Sequence, residues 1–197
     1  MGLLTSLKRH RRLPGAGALA RDHFTGINLD RLASHPLDVD QAGHGWVEVS
    51  GQWEIFGNQL RETLGSSRVV AIDVEASDVA VQATLAVPNS ADPGLVGRLT
   101  DANNYIVLVT NAVTGNLEIW KNVGGSFTQL DSAAHAFAAG EVIRLQMDGD
   151  SLQGYVDDVL LVEATDAAHQ TVSAHGFFNN AGGFGQVRWD DFQVTAL

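Results

Sequence analysis

From residue 46 onward the chain alternates apolar and polar positions with a period of two, in short runs broken by Gly, Asp and Asn. That period belongs to strands and not to helices. The clearest run places Val79, Val81, Ala83, Leu85 and Val87 on one face. Similar runs are read at 46–49, 53–56, 69–75, 95–99, 105–110, 117–121, 127–130, 142–147, 152–156, 159–163, 171–178 and 187–195. About 13 short strands at spacings of roughly 8–12 residues predict a β-sandwich. Thr114-Gly115, Gly124-Gly125, Gly149-Asp150 and Asp157-Asp158 fall where hairpin turns belong. Residues 105–109, Tyr-Ile-Val-Leu-Val, are apolar on both faces, which predicts a strand covered on both sides. In Leu117-Glu118-Ile119-Trp120-Lys121 the apolar Leu117 and Ile119 share one face, while Glu118 and Trp120 share the other.

The first 21 residues break this pattern. Leu3, Leu4 and Leu7 have helical spacing, Lys8, Arg9, Arg11 and Arg12 form a basic run, and Pro14-Gly15 ends any helix. A secretory signal needs an apolar stretch of roughly 7–15 residues after its charges, and Leu-Pro-Gly-Ala-Gly-Ala does not supply one. The twin Arg11-Arg12 has the same weakness as an export signal. Met1-Gly2 with Ser6 fits a myristoylation pattern, which is short and common by chance. The division expected is a basic arm over 1–21 and one domain over 22–197.

Charge sharpens this division. Of 12 Lys and Arg and 23 Asp and Glu, the arm holds five basic residues and no acid. The body is therefore strongly acidic and unsuited to nonspecific nucleic-acid binding, whereas the arm suits an acidic or protein partner. With no cysteine, disulfides and thiolate metal sites are excluded. No run is long and apolar enough to span a membrane as a helix.

Several blocks recur in an order that resembles the laminin-G-like branch of the concanavalin A-like lectin/glucanase superfamily. They are Asp22-x-Phe24, Trp46, Gly51-x-Trp53, Gly94 to Arg98 with Asp101-x-Asn103-Asn104-Tyr105, Leu117-x-x-Trp120-Lys121, Asp148-Gly149-Asp150, Asp157-Asp158 and 182–192. The resemblance implies an all-β, two-sheet antiparallel jelly-roll sandwich with one curved sheet. It also implies a glycan or partner surface on the concave face or the loop rim. Fold alone does not choose among the functions such sandwiches carry.

Candidate chemistry is sparse. Glucanases of this superfamily carry Glu-x-Asp-x-x-Glu on one strand, and the nearest match, Asp73-Val74-Glu75, lacks the third acid. No catalytic residue is assigned, and the chain is expected to be non-enzymatic. Loop oxygens of Asp101, Asn103, Asp157 and Asp158 are weak calcium candidates, and all four are equally good turn formers. No other cofactor is implied. The seven histidines show no metal-ligand spacing. Trp120, with Glu118 and Asn116 on its face, is the best stacking platform for a glycan or partner, against the plain alternative of an inter-sheet tryptophan. Arg98 is a further candidate contact, against a salt bridge within the sheet. Trp46, Trp53 and Trp189 are expected in the core.

The leading expectation is a structural or adhesion module of a large assembly, such as a minor tail or decoration protein of a bacteriophage virion made in the host cytoplasm. Leu3, Leu4, Leu7, Lys8, Arg9, Arg11 and Arg12 would dock it on other subunits. The alternative is a free carbohydrate-binding, lectin-like module, extracellular or at a cell surface. A sugar hydrolase comes last.

Overall fold

The computed structural model describes residues 17–88, 92–111, 113–180 and 187–197, with the side chains of 64–67 outside that description. Within these residues the chain runs through β1 (Ala18–Asp22), a short 3-10 turn (Leu32–Ser34), β2 (Val39–Asp40), β3 (Val47–Ile55), β4 (Leu60–Asp73), β5 (Val79–Val87) and β6 (Pro93–Asp101). It continues through β7 (Asn104–Asn111), β8 (Asn116–Val123), β9 (Ser126–Ala134), β10 (Glu141–Asp148), β11 (Ser151–Val156), β12 (Val159–Thr165), β13 (Ala174–Asn179) and β14 (Arg188–Ala196).

The strands form two antiparallel layers. One is ordered β12-β11-β10-β5-β14, with β1 pairing β14 and β2 pairing β1. The other is ordered β4-β13-β6-β7-β8-β9, with β3 on the free side of β4. Among the described residues, Trp189 paired with Leu60 joins β14 to β4. The expected all-β sandwich is the fold observed.

Alternation explains which residues fill the space between the layers. Ile106 and Leu108 of β7 and Leu117 and Ile119 of β8 face Leu145 and Met147 of β10 in one buried cluster. Where Met147 and Leu108 press hardest the opposite layer carries glycine. A Cβ on Gly97 would lie 2.5 Å from Met147, and one on Gly154 would lie 2.6 Å from Leu108.

At the other end of the core the Phe177 ring is ringed by aromatics: Phe24 at 6.0 Å, Trp46 at 6.0 Å, Trp53 at 6.3 Å, Trp189 at 5.5 Å and Phe192 at 5.0 Å. Trp46, Trp53 and Trp189 are thus core residues, as expected. The buried Asp22 carboxylate accepts the Trp46 indole N–H at 2.9 Å and the Phe24 amide at 2.7 Å, which fixes the Asp-x-Phe segment to this cluster.

Three boundaries differ from the sequence expectation. Residues 18–21, read as the end of the arm, lie in β1 (Ala18–Asp22), where Ala20 is buried. Residues 46–49 and 53–56 belong largely to one strand, β3, whose register shifts around Gly51 (φ 73°) absorb the break. Finally, β4 starts at Leu60, well before the expected 69, and runs as one strand through Gly65-Ser66-Ser67, with its register to β3 shifting between Leu64 and Val69. The arm residues Leu3, Leu4, Leu7, Lys8, Arg9, Arg11 and Arg12 lie outside the described residues.

Candidate functional site

The layer β4-β13-β6-β7-β8-β9 has a second apolar face, turned away from the inter-sheet core. Alternation puts Val69 and Ala71 of β4, Phe178 of β13, Val96 of β6 and Tyr105, Val107 and Val109 of β7 there. This is the second side of the doubly apolar strand read at 105–109. Tyr105 stacks edge-on with Phe127 at 6.1 Å and against Phe178 at 6.0 Å, making a rigid aromatic floor.

An open groove of about 250 Å³ lies on this face, walled by Val107, Val109, Asn111, Glu118, Trp120, Phe127 and Phe178, with Asp92 and Asn180 at its end. That volume sits just under the ~300 Å³ lower end for drug-sized sites. Register explains its shape. Phe178 pairs Gly94, Gly94 pairs Val109, and Val109 pairs Glu118. Gly94 therefore leaves a gap in the row between Phe178 and Val109. No larger residue fits it, since a Cβ there would lie 2.6 Å from the Leu108 carbonyl oxygen. In the next row Val107 pairs Trp120.

Polar groups in the groove are oriented. Trp120 is partly exposed and donates its indole N–H to Glu118 Oε2 at 2.8 Å. Glu118 is buried, and its Oε1 also accepts the Thr114 hydroxyl at 3.2 Å. The Asn111 side-chain amide approaches both Glu118 oxygens at 3.4 Å. These contacts lock the Trp120 ring in place through Glu118. At the groove end, Asp92 Oδ2 accepts a long bond from Asn180 at 3.5 Å, while its buried Oδ1 has no partner. Burial pushes the Asp92 carboxyl above the usual range; the Asn180 bond opposes this and the Glu118 charge adds to it. Asp92 also holds a left-handed backbone, φ 44°, an uncommon conformation for a residue with a side chain.

The structure brings only part of the expected site together. Trp120 and Glu118 line the groove. Asn116 shares their strand face but stands at the start of β8, outside the walls. Arg98 is elsewhere: it is fully buried, its guanidinium bonds the Asp78 carboxylate at 3.0 Å and the Ser77 carbonyl at 3.2 Å, and its amide donates to His175 Nδ1. The salt bridge accounts for it. Sequence reading missed Asp92, Asn111, Phe127, Phe178 and Asn180 as groove residues. The available signal was alternation from Glu118 and Trp120 across to Val107 and Val109, which needs the strand register to be read.

The other candidates have ordinary roles. Asp73 ends β4, where it accepts the Glu75 amide and the Ser173 hydroxyl, and Glu75 lies beyond the strand in a left-handed turn. The two acids thus do not form a pair on one strand face. Asp101 accepts from the Asn103 amide and the Asn104 side chain in its own turn. Asp157 holds the Val142 amide, and Asp158 pairs with Arg144. Among the described residues, no three His, Asp or Glu side chains gather as metal ligands.

No protein-family model matches the chain, and no curated protein matches it. Solved structures do match in fold. The carbohydrate binding module CBM66 from Bacillus subtilis superposes with a TM-score of 0.59 at 17% identity, over 77% of this chain and 93% of that one. A protein of unknown function with a galectin-like fold, also from Bacillus subtilis, gives 0.57 at 12% identity over 92% and 98%. The laminarinase from Rhodothermus marinus gives 0.58 at 14% identity over 94% and 99%. Set beside the two-layer topology, these likenesses show a shared antiparallel, jelly-roll-like β-sandwich fold.

Proposed function

We propose that the protein is a non-catalytic, lectin-like carbohydrate-binding module of laminin-G-like type, and that the Trp120 groove is its sugar site. The observation that carries this is the Trp120 ring, partly exposed over an apolar floor and pinned by its indole N–H to the buried Glu118. Fixing an aromatic face before binding spares the ordering cost that a free side chain would bear. The ring offers a flat apolar surface to the C–H face of a sugar, while Asn111, Asn180 and Asp92 offer amide and carboxylate groups to its hydroxyls. The likeness in fold to a carbohydrate binding module supports the same reading.

A hydrolase is the second reading, favoured by the two carboxylates Asp92 and Glu118 in one groove and by the raised Asp92 carboxyl. The non-catalytic reading is preferred because both Glu118 oxygens already accept hydrogen bonds. No observation carries the virion reading, since the arm on which it rested is outside the described residues.

The test is a screen of the full chain against immobilised and soluble polysaccharides, with reducing-end release assayed in parallel. The expected outcome is retention on a subset of glycans without release of reducing ends. Cleavage abolished by Asp92→Asn would establish the hydrolase instead.

A further inference from the structure

The groove carries two carboxylates, Asp92 and Glu118, and none of its described walls is Lys, Arg or His. Glu118 is spoken for by Trp120, Thr114 and Asn111. Asp92 is not: one of its oxygens is buried without a donor, and the other holds only the long Asn180 contact. Two like charges in a half-desolvated groove repel, and the missing component is a donor, preferably a charged one. The Trp120 and Phe127 rings add negative faces that attract a cation. Beyond the groove, residues 18–197 carry eight basic against 23 acidic residues, a field that draws cations in and repels anions.

We infer that the saccharide taken by this groove is a basic one, an amino sugar with a free ammonium group, with Asp92 as the residue that selects it. The inference rests on the sugar-binding reading above and narrows it to a charge class. The ammonium would donate to the unpartnered Asp92 oxygen while the ring lies on Trp120. Neutral sugars would bind more weakly through hydroxyls alone, and uronates or sulfated sugars would be rejected.

The experiment titrates the full chain with three size-matched probes below the amine pKa: chitosan oligomers with free amines, their N-acetylated chitin counterparts, and oligogalacturonates. Chitosan is expected to bind roughly two- to fivefold more tightly than chitin, the range of a partly screened ion pair, with oligogalacturonate not binding. Asp92→Asn should abolish the preference, so that chitosan and chitin bind the variant equally. Independently of any variant, added salt should weaken chitosan binding and leave chitin binding unchanged. Equal or tighter binding of chitin, binding of oligogalacturonate, or a preference that survives Asp92→Asn overturns the inference and leaves sugar binding standing. If no saccharide in this set or in the wider screen binds, both fall.

Discussion

His175 shows how closely one side chain can be specified by its surroundings. It is fully buried on β13, its Nδ1 accepts the Arg98 amide at 3.2 Å, and its Nε2–H donates to the Ala76 carbonyl at 2.8 Å. Only the neutral ring with its proton on Nε2 satisfies both. Burial, with Arg98 nearby, lowers its pKa to about 4 from 6.5. Between those values the unfolded chain binds more protons than the folded one. Stability from this group is therefore complete above about pH 6.5 and falls as pH drops towards 4, by at most about 3 kcal/mol. Asp38, Asp73, Asp101 and Asp166 are all held below their ordinary range, so their losses come at lower pH. Across this window urea midpoints should drop further with falling pH for the wild type than for His175→Gln, which can make both hydrogen bonds without titrating. Parallel curves for the two proteins would refute this account of His175.

At the scale of the element, strand packing leaves little slack on the groove side. Gly94 of β6 and Gly176 of β13 lie hard against neighbouring strands: a Cβ on Gly94 would lie 2.6 Å from the Leu108 carbonyl oxygen of β7, and one on Gly176 2.2 Å from the Val70 carbonyl oxygen of β4. Gly94→Ala should cost about 1–3 kcal/mol, the usual range for overpacking, and should also fill the gap that shapes the groove. A urea melt indistinguishable from wild type would show that the backbone yields there.

Most strands were legible because their alternation is strong, as in β5, where Val79, Val81, Ala83 and Leu85 are all buried. By contrast, β1 was not, because Ala-Leu-Ala-Arg offers little contrast between faces, and it is held by pairing with β14 and β2 instead. The first half of β4 hides its core position behind a buried Glu62 and a Gly-Ser-Ser run. The groove itself was half legible. Trp120 and Glu118 could be put on one face by counting, but Asp92 and Asn180 are 88 residues apart and meet only through the β6–β13 register.

At the scale of the whole molecule, the sandwich is held by an inter-sheet core that includes Ala20, with Leu19 packed against it. Deleting residues 1–16 keeps all of β1 and sets the reference thermal midpoint. Deleting 1–22 should lower it sharply, because it removes β1 from the edge of β14 and takes away the Asp22 carboxylate that the buried Trp46 indole needs. Equal midpoints for the two truncations would show that β1 is dispensable to the fold. Function was less legible than fold for a plain reason: the same sandwich serves many activities, and its site is made by side chains from five separate segments.

The central claim, that the Trp120 groove binds sugar, is tested most directly by paired titrations of wild type and Trp120→Ala with the tightest saccharide from the screen, alongside urea melts of both. Trp120 is partly exposed, so its loss should cost about 1–2 kcal/mol of stability, less than the ~3–5 kcal/mol of a fully buried tryptophan such as Trp53. The account predicts that affinity falls at least about tenfold while the fold survives. Unchanged affinity in a folded Trp120→Ala protein would contradict it, and so would a stability loss above about 3 kcal/mol, which would make Trp120 a core residue and leave the groove without its platform.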